Sequence, residues 1–157
     1  MNKPSTRKLV KKIIAGGQTG VDRAALDAAM EFGLKIGGWC PRGRKAEDGV
    51  ISSRYPLQET PSDRPSQRTE WNVRDSDGTL VLTLKKPTGG TAFTIRAAHR
   101  LNKPCLILNL ADHPTPDTVS SWVQETPIRV LNVAGPRESS SPGIYTQAFR
   151  FLRGVFS

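Results

Sequence analysis

The residues suited to chemistry gather in three polar turns and one basic segment. The first turn is Gly16-Gly17-Gln18-Thr19-Gly20-Val21-Asp22-Arg23. Its glycines permit dihedrals and close approaches that a β-carbon blocks. A helix starting there leaves unpaired N–H groups at the positive end of its dipole, which suits an anion, most often a phosphate. Gly17, Gln18, Thr19 and Gly20 would present those donors. A plainer role is open to the same residues: Thr19 caps the helix and Asp22 answers as a capping-box carboxylate. Asp22 sets a negative charge beside any phosphate, so it either holds Arg23 or accepts from a ligand hydroxyl or ring nitrogen. Arg23 either clamps the anion or pairs with Asp27 four residues on.

In the second turn, Lys85-Lys86-Pro87-Thr88-Gly89-Gly90-Thr91, the residues Gly89, Gly90 and Thr91 open another helix. They offer a second phosphate or oxo-anion contact, or a tight turn with Thr91 merely capping. The third turn, Ala134-Gly135-Pro136-Arg137-Glu138-Ser139, could close a pocket with Arg137, Glu138 and Ser139, or cap its own loop. Arg68, Thr69 and Asn72 fall on one helical face and suit recognition of a heterocycle or phosphate. Asp77, just before an apolar run, is either a cap or a ligand-facing acceptor. Arg42, Arg44 and Lys45 bring charge from a long loop; a merely exposed basic loop is the alternative. Trp39 and Trp71 are candidates for stacking on a ring, Trp39 with the stronger case for a structural role, and Trp122 reads as packing. No catalytic constellation and no metal site is expected: His99 and His113 lack partners at ligand spacing.

The elements that must hold these turns follow from periodicity. Leu9 to Ala15 and Leu34 to Trp39 are rich in β-branched and apolar residues and read as strands, as do Gly78 to Leu84, Pro104 to Leu110 and Ile128 to Val133. Between them, helical spacing joins Val21, Ala25, Ala28 and Phe32. The same period appears over Ser66 to Ser76, through Ile95, Ala98 and Leu101, over Thr115 to Glu125, and from about Pro142 to Val155. Alternating apolar strands and helices imply an α/β fold with a mainly parallel sheet covered on both faces. All three turns then lie at the C-terminal ends of strands, where such sheets bind ligands. Residues 40–65 have no clear period and form a candidate lid over that rim. The whole span 1–157 reads as one domain.

The chain has 157 residues and a formal charge of +9. That charge favours anionic partners without choosing among them. Aromatic residues interleave only sparsely with the basic ones, so nucleic acid is not expected as a partner. Cys40 and Cys105 stand far apart, which suits a reducing compartment. No apolar run approaches membrane-spanning length, so no membrane partner and a cytoplasmic setting are expected.

Several stretches together resemble one family. Gly16 to Asp27 is similar to the signature of the molybdenum-cofactor carrier proteins, a circularly permuted branch of the SLOG superfamily that includes the lonely-guy nucleotide hydrolases. Gly38 to Gly49, Tyr55-Pro56-Leu57, Arg68 to Leu80, Gly89-Gly90-Thr91 and Asn132 to Ser139 match in order. The resemblance covers about Ile13 to Phe156. It implies a Rossmann-like three-layer sandwich, usually in a homo-oligomer, with a pocket lined by the glycine turns. It further implies molybdenum cofactor as cargo and molybdoenzymes as recipients, or else a nucleotide-like ligand to be sensed or processed. Lonely-guy enzymes carry a glutamate in the motif Pro-Gly-Gly-x-Gly-Thr-x-x-Glu; here Thr94 stands where that alignment would require it. A hydroxyl cannot do a carboxylate's work as acid or oxocarbenium stabiliser, so the resemblance leans away from an enzyme.

Overall fold

The computed structural model describes residues 4–157. The chain runs α1 (Thr6–Leu9), β1 (Lys12–Ile14), α2 (Val21–Glu31), β2 (Lys35–Gly37), β3 (Trp39–Cys40), β4 (Lys45–Ala46), β5 (Gly49–Val50) and β6 (Gln58–Glu59). It continues through α3 (Pro65–Arg74), β7 (Gly78–Thr83), α4 (Gly89–Arg100), β8 (Cys105–Asn109), a 3-10 turn, α5 (Pro116–Glu125), β9 (Val130–Ala134) and α6 (Ile144–Phe156). Five strands form one sheet in the order β2-β1-β9-β7-β8, with every neighbouring pair parallel.

Handedness distributes the helices. Right-handed crossovers from β1 to β2 and from β7 to β8 run in opposite directions across the sheet, so their helices lie on opposite faces. One face carries α2, α5, α6 and α1; the other carries α3 and α4, which pack on each other. The result is the Rossmann-like sandwich anticipated from the alternating pattern. Every residue of β7 is buried, as a strand covered on both sides requires. The main core lies on the first face: Ile13, Leu80, Leu82, Leu131 and Val133 meet a helical layer of small residues, Ala24, Ala25, Ala28 and Ala148. The second face is more polar beneath α3 and α4. There Thr79 and Asn132 are cross-strand partners, and Asn132 Nδ2 donates to Thr79 Oγ1 at 3.1 Å.

Local chemistry moves several boundaries. The first strand begins only at Lys12, because Thr6–Leu9 turn as a short helix whose Thr6 is fully buried and shares a 2.9 Å hydrogen bond with Ser120. Helix α3 starts at Pro65 and not at a Ser66 cap, since proline has the right φ and no N–H to satisfy at that position. Residues 40–64 are ordered into two small strand pairs, β3 with β6 and β4 with β5. The Arg44 guanidinium organises this segment by donating to four carbonyls, those of Ile51, Ser52, Tyr55 and Leu57, at 2.8–3.2 Å.

Candidate functional site

The first glycine turn leaves β1 and leads into α2 through Gly20. This residue has φ +79°, and a Cβ on it would stand 2.3 Å from the Pro136 carbonyl oxygen. No L side chain fits, so the first and third turns abut. Gly20 itself occupies the N-cap, without a side-chain cap. Thr19 is therefore not the cap that its spacing allows: its hydroxyl donates to Glu47 and accepts from the Glu138 N–H. Asp22 reaches back to accept from the Gln18 N–H at 3.2 Å.

Beside this turn, on the face of α3 and α4, a cleft of about 650 Å³ opens above the ends of β1, β9 and β7. That volume fits a ligand of cofactor size better than a lone ion. Gly16, Gln18 and Asp22 form one wall. Pro65, Ser66, Arg68, Thr69 and Asn72 of α3 form the second, and Lys85 to Thr91 with Phe93, Thr94 and Arg96 the third. The floor and last wall are Asn132 to Arg137, Ser140 and Ser141. Helix α4 begins here with no side-chain cap on its first turn, so its N–H groups are available to a ligand.

The charges are unequal. Five cations line the cleft (Arg68, Lys85, Lys86, Arg96 and Arg137), against one carboxylate, Asp22. Among the described residues, only Arg137 of the five is in an ion pair, with Glu47 at 3.7 Å. Arg68 is nearly buried; it lies on Gly16 and donates to that residue's carbonyl at 2.7 Å. Burial pushes the Asp22 carboxyl up to about 6, against the opposing pull of Arg68, the Gln18 N–H and Arg23. Asp22 thus changes charge in a mildly acidic range while facing a ligand-sized space.

Of the residues singled out by sequence, Gln18, Asp22, Arg68, Thr69, Asn72, Gly89, Gly90, Thr91 and Arg137 converge on this cleft. The others lie elsewhere. Gly17 packs under Ile51 and Leu57. Arg23 turns away from the cleft and makes a double 2.8 Å contact with Asp48, not with Asp27. Asp27 instead accepts from the hydroxyls of Tyr55 and Tyr145. Glu138 caps α6, accepting from the N–H groups of Gly143 and Tyr145, and Ser139 donates to Glu47. Asp77 sits at the opposite, N-terminal end of the strands and accepts from the N–H groups of Arg129 and Val130. Of residues 40–65 only Pro65 lines the cleft; Arg42 stays exposed and Lys45 approaches Asp63 at 3.7 Å. Residues 40–64 thus buttress the outer side of the first turn and do not cover the cleft. Trp39 and Trp71 meet edge-to-face at 4.7 Å outside the cleft.

Sequence reasoning passed over Lys85, Lys86, Phe93, Arg96, Asn132, Ser140 and Ser141. A signal existed for some. Gly89, Phe93 and Arg96 recur at helical spacing on the face that starts the helix, and Asn132 is a polar residue inside an apolar strand. Thr94 also lines the cleft, with its hydroxyl donating to the Gly90 carbonyl at 2.9 Å within α4. Among the described residues no group of His, Cys, Asp and Glu could hold a metal ion, and no helix is long and apolar enough to cross a membrane.

Comparison with known proteins agrees with this architecture. The crystal structure of a protein from Syntrophus aciditrophicus SB named "putative molybdenum carrier protein" is 44% identical in sequence and superposes with a TM-score of 0.90. The match covers 99% of this chain and 97% of that one. No curated protein matches the chain. The sequence pattern of the circularly permutated YpsA SLOG family matches residues 13–156. The chain belongs to the circularly permuted YpsA SLOG family.

Proposed function

We propose that this protein binds and carries molybdenum cofactor, or a closely related phosphorylated pterin, in the cleft at the C-terminal rim of the sheet. The observation that carries the reading is the unpaired charge of that cleft, with Lys85, Lys86 and Arg96 outside any ion pair among the described residues around an uncapped helix start. The name of the 44% identical relative supports it. The phosphate would lie at the start of α4 beside Lys85 and Lys86, with the ring system toward Phe93 and the polar floor at Asn132. Donor and acceptor groups on a pterin edge suit Asn132 and Asp22, which line the same space, whereas the Asn72 amide is committed to the Trp39 main chain. Delivery to molybdoenzymes, homo-oligomer formation and a cytoplasmic setting belong to the same proposal. The test is purification from hosts that do and do not make the cofactor. The expected result is a pterin released on denaturation only from the first; protein free of pterin from both, with no protection of added cofactor, would overturn the proposal.

One observation favours a second reading, a nucleotide-processing protein. Asp22 is a carboxylate in the cleft held near half-protonation at pH 6, as glycosidic-bond cleavage needs. Release of free base from nucleoside monophosphates, lost in Asp22→Asn, would establish it; an inactive wild type across the common bases would remove it.

A further inference from the structure

We infer that the outer edge of β8 is a homodimer surface, on which a second copy of this chain pairs antiparallel about a two-fold axis at Ile107, so that the two sheets run on as one. The inference rests on the oligomer of the reading above for its partner, and on nothing about the cargo. β8 ends the sheet and pairs only with β7. The Thr79 N–H donates to the Pro104 carbonyl at 2.9 Å, which fixes the phase of that pairing. The main-chain groups of Pro104, Leu106 and Leu108 therefore turn toward β7, and those of Cys105, Ile107 and Asn109 turn outward. Among the described residues, the N–H and C=O groups of Cys105 and Ile107 and the N–H of Asn109 meet no main-chain partner on that side.

Free edges are normally protected. β2, at the other end of the sheet, is three residues long and begins with the exposed Lys35. β8 is five residues long, Cys105-Leu106-Ile107-Leu108-Asn109, with no charge, no proline and no break in register. None of its residues is buried, and Ile107 is 45% exposed, one of two large apolar side chains so placed among the described residues. An apolar edge of this length, left open, recruits strands indiscriminately, so a folded chain that keeps one needs a specific cover.

A second copy fits because the edge is complementary to itself. With the axis at Ile107, each Ile107 exchanges N–H and C=O bonds with the partner's Ile107, and the Asn109 N–H reaches the partner's Cys105 carbonyl. The two Ile107 side chains then stand opposite each other on the face of α3 and α4, where Cys105 already packs. The same register brings Lys103, just before the strand, beside the partner's Asp112, just after it, and the reverse. Neither is in an ion pair within its own chain among the described residues. Antiparallel pairing points the two clefts to opposite ends of the dimer, so neither copy contributes to the other's site.

The test is sedimentation equilibrium of the full chain through the micromolar range. The wild type should dimerise. Ile107→Lys, which sets two like charges opposite each other, should weaken the dimer by about tenfold or more, with an unchanged circular dichroism spectrum. Val50→Lys, at the other exposed apolar residue, should leave the dimer intact. Lys103→Asp should weaken it about threefold, and adding Asp112→Lys should restore it, a reversal that no loss of fold would give. A dimer indifferent to Ile107→Lys, or a loss in Lys103→Asp that Asp112→Lys deepens, would overturn the inference and leave the oligomer to another surface. A wild type that stays monomeric would overturn it too and remove the oligomer from the reading above, while cargo binding in the cleft would still stand or fall by the pterin experiment.

Discussion

Two parts of this molecule look alike in sequence and differ in space. The segment 40–64 and the cleft are both rich in basic residues, but in the segment three of the five cations have been answered. Arg44 is spent on four carbonyls, Lys45 approaches Asp63, Arg54 approaches Asp27, and Arg23 beneath them holds Asp48. Around the cleft, Lys85, Lys86 and Arg96 are in no ion pair among the described residues, whereas Arg68 is held by the Gly16 carbonyl and the charge of Asp22. Density of charge along a chain thus says little about binding. What matters is whether folding consumes the charge, because a cation already paired at short range has little attraction left for a ligand.

This contrast can be broken or sharpened by substitution. The largest effect is expected at Arg44: Arg44→Ala should cost about 3 kcal/mol of stability in urea unfolding, because charge-assisted bonds to half-buried carbonyls are lost together. Anion affinity of the folded fraction should stay within about twofold; a large fall in affinity would mean that the segment serves the cleft directly. Next is Asp22→Asn. The native carboxyl has been pushed up to about 6, above its unfolded value of about 3.9. The native state therefore binds the extra proton between those values, and stability declines as pH rises from about 4 to about 6. The asparagine variant should be more stable than wild type by about 2 kcal/mol above pH 6, with the advantage gone near pH 4. Thermal melts across pH 4–8 check this, and parallel curves for the two proteins would refute it. Third, the double change Lys85→Ala and Lys86→Ala should weaken phosphate binding about tenfold and flatten its salt dependence, with little change in melting temperature. Arg42→Ala, equally basic but outside the cleft, should move both stability and affinity by no more than about 0.5 kcal/mol.

The sheet was legible because its strands are apolar runs with helices between them, a pattern set locally by residues such as Leu80, Val81 and Leu82. The rim was legible for a similar reason, since glycine after a strand is a local signal. Partners distant in sequence were not legible. Nothing near Thr19 announces that Glu47 will take its hydroxyl, and nothing near Arg23 reveals Asp48 in place of the nearer Asp27. Asp77 sits before a strand where the rim residues sit after one, and only strand polarity sends it to the opposite end of the sheet.

One consequence of the strand order concerns the chain as it is made. β9 is the last strand to emerge, yet it lies in the middle of the sheet, between β1 and β7. Until about residue 134 is available, β2-β1 and β7-β8 can form only separate ribbons, each with an unpaired inner edge. Exposed edges of that kind invite pairing with other chains. The last strand closes both edges in one step and brings the floor of the cleft, Asn132, with it. A ribosome-bound fragment ending before β9 should accordingly be aggregation-prone and blind to ligand, so that completion of the sheet and competence to bind arrive together.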